Sequence, residues 1–223
     1  MSDQPMIEQT PSEPEPAPSL ARLLFQHGRL VLFAGAFAVE LAIYFGAMVY
    51  PIDPVQQQAL QQQAQTLANA TIGQGPMAAF VGIFENNVRI ALLEMIPAAG
   101  ALLLALITFS TGQVIQVEAI GSSLPSPVFG LLLFLFPFAI VELSSYAIAV
   151  GSGSMVLVAW RRKTLHKEVR VFALEVCIVV VAVLAAAAME TMIDVNVVIS
   201  LALWLPTALA IAMIIVFGKR LGS

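Results

Sequence analysis

Residues 30–50 read LVLFAGAFAVELAIYFGAMVY, 21 residues with a single charge, Glu40. At 1.5 Å of rise per residue, a helix of that length covers about 30 Å, the thickness of a bilayer's hydrocarbon core. The stretch predicts a transmembrane helix, and the chain contains more of its kind. Residues 98–117, 128–150, 171–190 and 197–217 are also long and apolar. Gly/Ser/Pro-rich or charged connections separate them, giving five strong spans.

A sixth segment is different. The apolar region from Met77 to Val117 is too long for one crossing, and Pro97 divides it. Its first part, residues 77–93, carries Glu85, Asn86, Asn87 and Arg89, so it reads as a short polar membrane segment that could cross, re-enter or lie on the surface. Between the first span and this segment, Pro51 and Pro54 stop the helix. Residues 56–68 are rich in Gln and Ala and predict a solvated or interfacial helix.

The composition supports this reading. Hydrophobic residues make up 59% of the 223 and charged residues 11%, against about 25% charged in soluble domains. The net charge of -4 and the absence of basic runs mixed with aromatics argue against a nucleic-acid partner. A single cysteine, Cys177, permits no internal disulfide. Residues 1–20 are acidic, Pro-rich and free of basic residues, which predicts a disordered tail ahead of a membrane domain over 21–223. Such a start does not resemble a cleaved leader, so the first span is expected to stay as an anchor.

Nine of the ten basic residues fall in three clusters: Arg22 and Arg29, then Arg161 to Arg170, then Lys219 and Arg220. The tenth is Arg89. Basic loops stay cytoplasmic, so an even number of crossings must separate the clusters. This requires the polar segment to count as a crossing and predicts an all-α, polytopic transmembrane helical bundle with both termini cytoplasmic.

Seven carboxylates lie in or near the apolar segments: Glu40, Glu85, Glu94, Glu118, Glu142, Glu175 and Glu190. An acid at the centre of a membrane helix costs about 2.5–3.5 kcal/mol, so each must face the bundle interior, meet water or be neutral. Glu40 and Glu142 are nearest the centres of their spans. They mark either a proton or cation path, or hydrogen bonds that hold helices together. Arg89 is expected to pair with Glu85 one turn earlier or with Glu142 on another helix. Pro137, inside the 128–150 span, predicts a kink near Glu142, and Gly151 to Ser154 a flexible end to that helix. His27 and His166 have no companion ligand at metal spacing, and no nucleophile motif is present. No metal, cofactor or enzymatic activity is expected.

Several short motifs carry a resemblance when taken in order. They are Ile83-Phe84-Glu85-Asn86-Asn87, Gly112, Pro137 through Glu142, Ala147, Gly151 to Gly153 and Ala188-Met189-Glu190. Over residues 77–218 the chain resembles the stage II sporulation protein M family of integral membrane proteins, found in bacteria and also in archaea that do not sporulate. The family often shows Pro-His-Gly before its glutamate. Here the residues are Pro137-Phe138-Ala139, and Glu142 is the position that carries over. The resemblance implies a multi-pass protein without known enzymatic activity, which in spore formers works with cell-wall hydrolases as an anchor or scaffold.

Two functions are therefore expected of the sequence. One is a scaffold or accessory protein of the cell membrane that anchors other membrane or envelope proteins. The other is a small proton- or cation-linked transporter or channel, with homo-oligomers open to it. Its path would be lined by Asn86, Asn87, Arg89, Pro137, Glu142 and Glu190, with Glu40 and Glu85 in support.

Overall fold

The computed structural model describes residues 23–72 and 75–222, and among these it is helical with no strand. The acidic tail expected over 1–20 lies outside the described residues. The helices are α1 (His27–Ala47), α2 (Pro54–Ile72), α3 (Pro76–Glu94), α4 (Ala99–Ala119), α5 (Ser126–Leu132), a 3-10 turn (Leu133–Leu135), α6 (Pro137–Arg161), α7 (Leu165–Val195), α8 (Val197–Ala202) and α9 (Trp204–Gly222). Four stretches among the described residues are long and apolar enough to cross a membrane: His27–Ala47, Ala99–Ala119, Pro137–Arg161 and Leu165–Ile193.

Local chemistry sets the breaks. Asp53 caps α2, its Oδ1 accepting the N–H groups of Val55 and Gln56 at 2.9 Å, while Pro54 occupies the first helical position, where no N–H is needed. The helix expected over 56–68 is therefore longer at both ends. Asn196 caps α8 in the same way, accepting from Val198 and Ile199, and so separates it from α7; the apolar run expected as one span over 197–217 is divided at Leu203 into α8 and α9.

The 128–150 segment is not one helix. Phe136 is extended (φ -99°, ψ 134°), as the residue before proline prefers, and Pro137 becomes the first residue of α6. Pro137 thus starts a helix and does not kink one. The same helix runs straight through Gly151–Ser154 to Arg161, so the flexible end expected there is absent. Glycine and serine give way to helix because the site is crowded. Gly151, Ser152 and Gly153 are all buried, and the Ser152 and Ser154 hydroxyls donate to carbonyls one turn back.

α1 and α6 run antiparallel. Gly151 packs on the ring of Phe33, and at the opposite end Tyr44 meets Phe134, ring centroids 6.0 Å apart. α4 packs on α1, where Gly112 sits against the backbone of Tyr44 and the Ala47 side chain. α7 packs on α6 and α3 through Val179, Val183, Ala149, Val150, Tyr146 and Ala91. Trp204 at the start of α9 donates its indole N–H to the Leu135 carbonyl.

Candidate functional site

Three helices bring carboxyl groups to one region of the interior. α1 contributes Glu40, α3 contributes Glu94 and α6 contributes Glu142, with Tyr146 one turn further along α6. The Tyr146 hydroxyl donates to Glu142 Oε1 at 2.9 Å. Glu40 lies within electrostatic reach of Glu94 and Glu142, and Tyr146 within reach of all three acids. Glu40 and Glu94 are fully buried, and neither oxygen of either carboxyl has a hydrogen-bond partner in the structure. Among the described residues no basic side chain acts on this group.

Glu94 reaches the interior because α3 ends abruptly. Pro97 cannot continue the helix, Ala98 adopts φ +66°, and the Gly100 N–H returns to the Ile96 carbonyl at 2.8 Å. A Cβ at Gly100 would lie 1.7 Å from the Glu94 carbonyl oxygen, so only glycine fits. The turn then presses on α6, where a Cβ at Gly153 would come within 2.5 Å of the Met95 carbonyl oxygen. Asn87, Ala91 and Glu94 recur at helical spacing and form the buried face of α3.

The expected site residues do not all converge here. Glu142 and Glu40 do. Asn87 is buried on α3 and accepts from Asn86 Nδ2 at 3.1 Å. Glu85 and Arg89 are exposed on the opposite face of α3, and among the described residues Arg89 forms an ion pair with neither Glu85 nor Glu142. Both expected pairings are corrected by that exposure: the two side chains share a helix face but not a contact. Glu190 is half-buried near the far end of α7, beside the buried Thr191. Pro137 is buried at the start of α6. Glu118 is exposed at the end of α4.

A second polar centre was not legible as one. Arg29, read only as a member of the basic flank of the first span, is 1% exposed. Its two terminal nitrogens hold separate acids on α7: Nη1 to Glu175 Oε1 at 2.5 Å and Nη2 to Glu168 Oε1 at 2.6 Å. A signal did exist in the sequence. Val171, Glu175, Val179 and Val183 fall four residues apart, which places Glu175 on the buried stripe of α7.

Among the described residues no three His, Cys, Asp or Glu side chains are arranged to hold a metal ion. Buried polar centres inside a bundle whose long helices are apolar on their outer faces define a multi-pass α-helical membrane protein. A sequence model described as stage II sporulation protein M matches residues 30–193. The chain belongs to this family. The match takes in the first span, ahead of the 77–218 region where the motifs lie, and ends before α8 and α9. No curated protein and no solved structure matches the chain.

Proposed function

We propose that the chain is a non-enzymatic accessory protein of the cell membrane that anchors partner membrane or envelope proteins. The observation that carries this reading is the outer face of α3. Met77, Val81, Glu85, Arg89 and Leu92 recur at three- and four-residue spacing, and all five are exposed. In a helix packed against α7, two of these positions turn opposite charges outward, toward lipid when α3 is counted as a crossing. Each charge costs about 2.5–3.5 kcal/mol at a helix centre, and a partner helix offering complementary groups removes that cost. Family membership fits the same role.

The orientation has support of its own. The Arg29–Glu168 pair holds the start of α1 and the start of α7 at one face of the bundle. With α3 counted as a crossing, four crossings separate Arg29 from Arg161, so both basic segments fall on the cytoplasmic side. Photo-crosslinking from Val81 in native membranes, followed by mass spectrometry, tests the proposal. A defined adduct that disappears in Glu85→Ala/Arg89→Ala is the expected result, and crosslinks to lipid alone would overturn it.

A second reading is proton- or cation-linked transport, favoured by the four unpartnered oxygens of Glu40 and Glu94. It requires pH-dependent flux in liposomes that Glu142→Gln abolishes while the variant still elutes as folded protein. Unchanged flux in that variant rejects it.

A further inference from the structure

The turn between α6 and α7 borders an open surface groove of about 620 Å³ lined by Trp160, Arg161, Lys163, Leu165 and His166. Two residues of this lining are apolar and exposed: Trp160 at 65% and Leu165 at 36%. The other three carry or can carry positive charge. Two spanning helices end and begin here, at Arg161 and Leu165, so the groove lies at headgroup level, where tryptophan rings prefer to sit.

The turn keeps its full positive charge because of the Arg29 centre. Residues 161–170 contain five Lys or Arg, His166 and one acid, Glu168. Glu168 is held by Arg29 at 2.6 Å, and no basic residue of the turn forms an ion pair among the described residues. Arg162 and Lys167 line a smaller neighbouring cavity and add to the same field. The result is a cationic groove with an apolar rim that opens toward the membrane surface.

We propose that this turn is a binding site for the phosphodiester of an anionic phospholipid. Arg161 and Lys163 pair with the phosphate, while Trp160 and Leu165 cover the upper acyl chain. Both halves of the ligand are needed: a free phosphate would leave the apolar rim in water, and a zwitterionic lipid would place its own cation among the basic side chains. Basic residues near a membrane surface each strengthen anionic lipid binding by roughly fivefold.

Native mass spectrometry of the full chain, released from micelles containing equal amounts of phosphatidylglycerol and phosphatidylcholine, tests the site. Preferential retention of phosphatidylglycerol is expected. It should weaken roughly fivefold for each cation removed in Arg161→Gln and Arg161→Gln/Lys163→Gln, fall in Trp160→Ala, and persist in Arg89→Ala. The exchange Arg161→Lys/Lys163→Arg keeps the charge and should keep the lipid, which separates binding from folding. Equal retention of the two lipids, indifference to the double variant, or displacement by inorganic phosphate at matched concentration would overturn the proposal.

Discussion

Arg29 and Glu175 lie 146 residues apart in sequence and 2.5 Å apart in space, both about 1% exposed. The pair ties the first turn of α1 to the third turn of α7, and the second Arg29 nitrogen holds Glu168 in the first turn. Removing one partner of a buried pair strands the other charge, which costs about 3–5 kcal/mol. Arg29→Ala should therefore greatly lower the midpoint of unfolding in detergent. Glu168→Gln, whose side chain is 12% exposed, should cost less than Glu175→Gln. A thermal series on the three variants checks the ranking.

Tyr146 gives Glu142 its only hydrogen-bond donor from a side chain among the described residues. Tyr146→Phe removes that bond and keeps the ring that packs with Ala149, Val179 and Val183. The expected loss is about 1–3 kcal/mol, because a buried acceptor is left unsatisfied. Glu142→Gln/Tyr146→Phe should cost less than the sum of the two single changes. A double-mutant cycle on stability measures that coupling.

The glycines of α4 and α6 carry a packing duty that Gly35 of α1 lacks. A Cβ at Gly112 would lie 2.5 Å from the Tyr44 carbonyl oxygen, and one at Gly153 equally close to that of Met95, whereas nothing lies within 4 Å of Gly35 in α1. Gly112→Ala and Gly153→Ala should each destabilise by about 1–3 kcal/mol through overpacking. Gly35→Ala should be neutral or slightly stabilising, since alanine is the better helix former. Size-exclusion recovery after heating separates the two groups, and equal losses at all three positions would remove the close-approach argument.

The long apolar runs made the spanning helices legible because lipid imposes a length and a composition on them. Two runs were exceptions: 197–217, which is divided at Leu203, and 128–150. The apolar content of 128–150 continues across Pro137, so hydropathy could not show that the backbone turns extended at Phe136. Of the site, Glu40 and Glu142 were legible as acids in the middle of apolar stretches. Glu94 is counted among the seven carboxylates but not among the expected site residues, because it stands at the very end of its segment, beside the turn at Pro97–Gly100. Arg29 was read by position, as a flank, although its burial depends on a helix that begins more than 130 residues later. Contacts of such range leave no local pattern.

Glu85 and Arg89 face outward on α3, and the accessory role rests on something covering them. Because neither side chain touches the bundle's polar centres, Glu85→Ala/Arg89→Ala removes two outward-facing charges without leaving a buried partner stranded. The stability of the isolated chain should hold or rise slightly. Capture of the partner should fall instead, and Glu85→Arg/Arg89→Glu, which keeps both charges but exchanges their places, should also fail to capture it. Parallel measurements of midpoint and co-purified protein distinguish this from an intramolecular role, in which stability and capture would drop together. If Glu85→Ala/Arg89→Ala unfolds the chain and no partner is lost before unfolding, the charges serve the bundle itself and the anchoring proposal loses its main support.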